Sequence, residues 1–218
     1  MQRIRKLFAF NGMVFTQQDA RISTMPKLSA QARARKIKLL LFDVDGVLTD
    51  GKLFFLPTPA DAPPGVESPA RTTSSMLEFK GFHAHDGIAI SLARQAGLKT
   101  GLITKRASEI VAVRGRELKL DYVQQGVDDK RACFIETVEK AGFKLEEAAF
   151  AGDDVVDLPA MRAGGFAIAV NNARPEVKAE AHYVTPHAGG EGAIRDAVDF
   201  ILKAQGTWRR ILREYIGE

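Results

Sequence analysis

Asp43 and Asp45 stand one residue apart at the end of an apolar run, in LLLFDVDGVLTDG (39–51). Carboxylates that close repel each other and resist burial unless a cation or a proton sits between them. A second acidic group also follows an apolar run: AFAGDDVVDLPAM sets Asp153, Asp154 and Asp157 within five residues. Asp157 can be explained as the N-cap of a short helix, but the group as a whole calls for a cation. Donors that are all oxygen select a hard divalent ion, Mg²⁺ above all, and no His or Cys cluster suggests zinc. A plainer reading of Asp43-Val44-Asp45-Gly46 stays open: a turn, with Asp43 capping and Gly46 at positive φ. A calcium loop is excluded, because the EF-hand needs a further oxygen ligand before its glycine and a helix upstream.

Two more residues join these carboxylates. Thr104 closes the apolar run LKTGLIT, and Lys130 opens the helical pattern DKRACFIETVEKAG. A strand-terminal threonine can be no more than a cap. Lys130 falls in a first helical turn, where a cation opposes the helix dipole. A local rule broken without evident gain is where function is expected, although a solvated pair with Asp128 would also explain it.

Taken together, the four groups specify phosphate chemistry. Asp43 attacks phosphorus to form an aspartyl-phosphate, which splits one hard displacement into two easier ones. Mg²⁺ held by Asp43 and Asp153 removes the repulsion between the phosphoryl group and the attacking carboxylate. Asp45 serves as acid toward the leaving oxygen and then as base toward water. Thr104 and Lys130 neutralise the phosphoryl oxygens.

The elements that must position these groups alternate from Ile37 onward. IKLLLF is a continuous apolar run, as in a strand buried on both faces of a parallel sheet. A helix over DGIAISLARQAG follows, with Asp86 as its N-cap and Gly97 as its stop. Strands over LKTGLI, DYVQ, AAFA, FAIAV and HYV then alternate with helices over ASEIVAVRGRELK, DKRACFIETVEKAG, LPAMRAG and PEVKAEA. A last helix over EGAIRDAVDFILKAQG closes the domain. The pattern predicts an α/β fold: a Rossmann-like open parallel sheet with helices on both faces, binding ligands at the carboxyl ends of its strands.

One segment breaks the rhythm. KLFFL and MLEFKGFH read as a hairpin flap within residues 52–83, around an insert at 57–75 that holds five of the nine prolines. Such a composition predicts a mobile tip and leaves no room for a separate cap domain. The expected organisation is therefore an extension at 1–36, disordered to about Ala34, a domain at 37–206 and a tail at 207–218.

Charge narrows the partners. The chain carries +4, but residues 1–38 hold nine Lys and Arg against Asp19 alone, which leaves −4 for residues 39–218. A nucleic-acid binder would carry its basicity on the folded body, so none is expected. No apolar run is long enough to cross a membrane. One cysteine, Cys133, fits a small buried residue in a reducing cytoplasm. The basic start resembles a secretory signal interrupted by Asn11 and Gly12, or less well an Arg-rich transit peptide. A start at Met25 is a simpler expectation.

The spread pattern DxDG, strand-terminal Thr, Lys at a helix start and GDDxxD resembles the haloacid dehalogenase superfamily of aspartate-nucleophile phosphatases. Longer stretches (IKLLLFDVDGVLTDGKLFF, FHAHDGIAI, LITKR, VQQGVDDK, AGDDVVDLPAM, PEVKAEAHYVT and AGGEGAIRDAVDFILKAQG) resemble its family acting on 3-deoxy-D-manno-octulosonate 8-phosphate. The resemblance covers about Ile37 to Trp208, apart from the proline-rich insert. It implies a capless, Mg²⁺-dependent enzyme of a small sugar-acid phosphate, assembled as a homotetramer whose neighbouring hairpins and tails cover the open mouths. By motif it assigns Asp43, Asp45 and Asp153 to the metal, with Asp154 and Asp157 behind them. It assigns Asp45, Asp86, Gly87, Arg106, Arg114 and Lys130 to the substrate, with His85 beside them.

Two departures touch the substrate residues. The family's Val-Arg-Asp-Gly is here Ala84-His85-Asp86-Gly87, and imidazole does not reproduce the bidentate grip of a guanidinium. Its Thr-Gly-Arg is here Thr104-Lys105-Arg106, which adds a cation. A phosphatase for a nine-carbon sialic-type sugar acid or another phosphoester is thus a second reading, and a non-catalytic binding module a third. Arg114 can equally be a solvated helix residue, and His187 either a loop residue or a contributor across a subunit boundary.

Overall fold

The computed structural model describes residues 28–57 and 76–217. The possible signal, the transit peptide, the Met25 start and nearly all of the proline-rich insert lie outside the described residues.

Strand β1 (Leu39–Phe42) is buried at every position, as its unbroken apolar sequence requires of a strand covered on both faces. It lies at the centre of a six-stranded parallel sheet. The other members are β4 (Lys99–Ile103), β5 (Tyr122–Gln124), β6 (Ala148–Gly152), β7 (Phe166–Ala169) and β8 (Tyr183–Val184), in the order β5-β4-β1-β6-β7-β8. The chain winds from β1 toward β5, then returns to β6 on the other side of β1. Right-handed crossovers place the helices of the two windings on opposite faces. Helices α1 (Ala30–Ala34), α2 (Ala84–Gln95) and α7 (Ala193–Ala204) pack together, and α4 (Lys130–Lys140), α5 (Leu158–Ala163) and α6 (Pro175–Glu180) form the other layer. Phe42, Phe134, Phe150 and Phe166 fill the core between sheet and helices.

The strand reversal opens a crevice beside β1. Phe42 pairs with Leu102 of β4 and with Ala151 of β6, so the ends of three strands lie level. The flap is a two-stranded antiparallel hairpin of β2 (Phe54–Pro57) and β3 (Met76–Phe79). Among the described residues no second domain covers the sheet.

Three expectations need correction. The extension is ordered before Ala34: α1 is a helix capped by the Ser29 hydroxyl, and Ala34 is fully buried. The tail beyond 206 contains a further helix, α8 (Trp208–Ile216), held by the buried Ile211. Asp86 does not cap α2, which begins two residues earlier after His83; Asp86 is buried inside the first turn.

Candidate active site

The end of β1 turns sharply through Gly46, whose φ of +86° suits glycine alone. Space makes the same demand. A Cβ at Gly46 would stand 2.2 Å from Oδ2 of Asp153, so the loop after β1 lies directly on the loop after β6. As a result, carboxylate oxygens of Asp43, Asp153 and Asp157 come within 4.8 Å of one another. The turn reading of Gly46 is realised, and Asp43 stands in an acidic group whose oxygens are close enough to share a cation.

Asp157 organises the acidic loop. It stands at the N-cap position of α5, but its side chain makes no bond to that helix. Its Oδ2 accepts the backbone N–H groups of Asp153 (3.0 Å) and Asp154 (3.2 Å). Its Oδ1 lies 2.6 Å from Nζ of Lys130. Asp154 instead caps the short 3-10 turn Val155–Asp157 that leads into α5, its Oδ1 accepting the Val155 N–H at 2.7 Å. Gly152 makes this possible, because a side chain there would occupy the space of the Asp157 carboxylate.

Lys130 bridges the two loops. Asp129 caps α4 through the Ala132 N–H at 3.0 Å. Lys130 then turns inward and reaches Oδ2 of Asp43, also at 2.6 Å. It is buried and has no contact with solvent comparable to a surface pair, so the Asp128 alternative is set aside. Burial works against its charge, but Asp157 and Asp43 outweigh that and raise its pKa. Thr104 is buried at the end of β4, tied to β5 by its N–H to the Gln124 carbonyl (2.9 Å) and by the Val127 N–H to its own carbonyl (3.1 Å).

One ammonium does not neutralise the acidic group. Burial, reinforced by Asp157, pushes Asp43 up to about 6 against the opposing pull of Lys130. Burial, then Asp157, Asp43 and Asp154, push Asp153 up to about 7. Carboxylates held together against their own repulsion suit a hard divalent cation with oxygen donors. Asp43, Asp153 and Asp157 each offer an oxygen within reach of such an ion, and Asp157 is the one that also holds the loop backbone through the Asp153 and Asp154 N–H groups.

Asp45 faces away from this group. One of its oxygens meets Nζ of Lys80, and Nε of Arg106 lies 3.5 Å from the other. Arg106 also donates to Glu78 at 3.1 Å, and Glu78 accepts from the Ser108 hydroxyl. Neither Glu78 nor Lys80 was among the residues singled out from the sequence. Their signal was present: two opposite charges two apart, at the end of an apolar extended run and just beyond it, point to one face.

The remaining sequence-derived residues make contacts of their own. Arg114 on α3 (Glu109–Glu117) stacks on Phe82 at 5.5 Å and pairs with Glu117 at 3.1 Å, so it is packed and not simply solvated. A Cβ at Gly87 would stand 2.9 Å from that guanidinium. His85 meets His83 edge-on, with ring centroids 4.9 Å apart. Asp86 is buried: its Oδ1 accepts the Arg195 N–H at 2.9 Å and so caps α7, while its Oδ2 has no hydrogen-bond partner among the described residues. His187 bonds Asp196 in the first turn of α7 at 2.9 Å. Asn172, also unforeseen, donates to the Gly46 carbonyl (3.1 Å) and accepts the Gly189 N–H (2.7 Å).

Comparison with known proteins agrees with this geometry. The haloacid dehalogenase-like hydrolase family matches residues 93–197. The 3-deoxy-D-manno-octulosonate 8-phosphate phosphatase KdsC of Escherichia coli is 34% identical, over 80% of this chain and 84% of its own. The chain belongs to this family of haloacid dehalogenase-like hydrolases. It is a phosphoric monoester hydrolase.

Solved structures place the phosphatase in the same group. That of the Moraxella catarrhalis octulosonate 8-phosphate phosphatase, in complex with magnesium, phosphate and KDO, matches with TM-score 0.74 and 32% identity, covering 85% of this chain and 97% of that one. A probable YrbI family phosphatase from Pseudomonas syringae gives TM-score 0.75 and 35% identity, covering 86% and 97%. No helix among the described residues of the phosphatase is long and apolar enough to cross a membrane.

Proposed function

We propose that the protein hydrolyses 3-deoxy-D-manno-octulosonate 8-phosphate to the free sugar acid and phosphate, through an aspartyl-phosphate on Asp43. The observation that carries this reading is the meeting of Asp43, Asp153 and the Asp157–Lys130 pair at the switch point of the sheet.

The Val44 N–H, 2.7 Å from one Asp43 oxygen, and Lys130 at the other fix the plane of the attacking carboxylate. As the bond from Asp43 to phosphorus forms and the ester bond breaks, Asp45 gives its proton to the leaving oxygen. Asp45 then takes a proton from the water that displaces Asp43, and phosphate is released. Lys130 and Thr104 meet the phosphoryl oxygens as charge shifts among them. Asp43 and Asp153, with Asp45 beside them, would hold Mg²⁺, whose positive charge would let a carboxylate approach a phosphate dianion. Asp154 and Asp157 support the loop from behind.

Arg106, Arg114, His85 and Gly87 line the rim where the sugar acid would lie. A guanidinium is the apt partner for its carboxylate. The exposed apolar side chains of the flap, Leu53, Phe54, Phe55, Leu56 and Phe79, support assembly as a homotetramer. The acidic body and the single cysteine support a cytoplasmic enzyme without nucleic-acid partners, its catalytic unit spanning 37–206.

Steady-state release of phosphate from octulosonate 8-phosphate and its nine-carbon analogues, with Mg²⁺ and with EDTA, tests the proposal. Selective turnover of the octulosonate that EDTA abolishes is expected. Selectivity for a nine-carbon acid would move the substrate, and feeble, equal turnover of all esters would overturn the sugar-acid reading.

A further inference from the structure

Asp45 has to keep its carboxyl directed at the leaving oxygen, although it stands two residues from Asp43 in a group that gathers cations. A carboxylate free to rotate would compete for that ion. What prevents it comes from the flap. Lys80, directly after β3, has its side chain fully buried, with its ammonium on one Asp45 oxygen and 3.4 Å from Glu78. Glu78 is itself buried and accepts from Arg106 and from the Ser108 hydroxyl. Burial opposes its charge, but Ser108, Lys80 and Arg106 outweigh that and hold its pKa below the usual range. Glu78 therefore anchors both cations that face Asp45, since Arg106 Nε is 3.5 Å from the second Asp45 oxygen. Two acids and two cations close on each other, and the group carries no net charge once Asp45 has given up its proton, which suits the burial of its Glu78 and Lys80 members.

We propose that Lys80, anchored by Glu78, is a positioning residue for Asp45: it holds the acid toward the leaving oxygen and away from the metal-binding carboxylates. The inference rests on the phosphatase reading and deepens it. In the first step the proton leaves Asp45 for the ester oxygen as the phosphorus–oxygen bond breaks. Lys80 is then already in place beside the carboxylate that remains. The flap thus has a role within its own protomer, independent of any neighbouring copy.

The test uses full-length enzyme with Mg²⁺, in excess over two esters in single-turnover experiments. Octulosonate 8-phosphate expels an alkoxide, which needs a proton; p-nitrophenyl phosphate expels a phenolate, which does not. Lys80→Met is expected to slow cleavage of the first about 30-fold and of the second less than about threefold, since a well-placed general acid is worth roughly 10²–10⁴. Glu78→Gln, which keeps the shape of the site, is expected to show the same preference more weakly, and it decides the matter if Lys80→Met does not fold. Equal slowing of both esters, or a raised KM with an unchanged cleavage rate, would overturn the inference and leave a structural or substrate-binding role. If the unaltered enzyme cleaves neither ester, the phosphatase reading itself fails, and this inference with it.

Discussion

The Lys130 ammonium stands 2.6 Å from the Asp43 carboxylate, and both are almost wholly removed from solvent. A cation in the first turn of α4 opposes that helix's dipole. It is tolerated because Asp157 meets it from the opposite side, also at 2.6 Å. The lysine thus joins the loops after β1 and β6, so the proposed mechanism makes stability and catalysis depend on the same group.

Lys130→Met leaves Asp43 and Asp157 facing each other without a counter-charge. Removing one partner of a buried ionic group costs about 3–5 kcal/mol. Urea denaturation at pH 8 should show a loss of about that size, together with loss of phosphatase activity. A stable but inactive variant would show that Lys130 serves the phosphate alone.

Acidity should affect the metal-free protein in an unusual direction. Asp43 near 6 and Asp153 near 7 both lie above their ordinary value of 3.8. The fold therefore retains protons that the unfolded chain has lost, and stability falls as pH rises from about 4 through 7. Mg²⁺ should reverse the loss. At a hundred times its Kd it contributes about 2.7 kcal/mol, roughly 5–10 °C in Tm for a chain of this size. The gain should be clear at pH 8 and small at pH 5, where protons compete for the same oxygens. Differential scanning calorimetry with and without Mg²⁺ checks both signs.

Asp86 should prove a matter of stability. Its Oδ1 caps α7 through the Arg195 N–H. Asp86→Ala should cost about 1–2 kcal/mol. Asp86→Asn keeps an acceptor and removes a buried charge whose pKa burial has raised, so it should cost less. Chemical denaturation gives the energies, and a KM for the phosphate ester unchanged within about threefold separates a cap from a ligand.

Asn172 joins the Gly46 carbonyl to the Gly189 N–H, and so ties the catalytic turn to the glycine loop before α7. Asn172→Ala breaks two hydrogen bonds at once, a loss of about 1–3 kcal/mol. It should lower kcat more than it raises KM, because the turn it holds carries the proposed nucleophile. Steady-state kinetics at saturating Mg²⁺ would show the split.

The sheet was legible because its strands are short unbroken apolar runs and its helices end on glycines such as Gly97 and Gly142, both at positive φ. The acidic loop after β1 was legible for a related reason: paired carboxylates at a strand end conflict with burial, and the conflict marks the candidate site. What escaped the sequence depends on contacts between distant segments. Asp86 looked like a cap of its own helix, but it caps one more than a hundred positions later. Glu78 and Lys80 gain their meaning only when the hairpin folds back onto Asp45. Helices α1 and α8 are short and marginal by themselves; α1 has five residues behind its Ser29 cap, and α8, although amphipathic, starts after Thr207 without a side-chain cap.

Transfer of the phosphoryl group to Asp43 itself can be observed. The enzyme with Mg²⁺ is mixed with octulosonate 8-phosphate, quenched in acid within one turnover and digested with trypsin. Mass spectrometry of the peptide 39–52 should then find one phosphoryl group on Asp43, absent when EDTA is present. Phosphate released while that peptide stays unmodified, or a phosphoryl group on any other residue, would contradict the role given to Asp43.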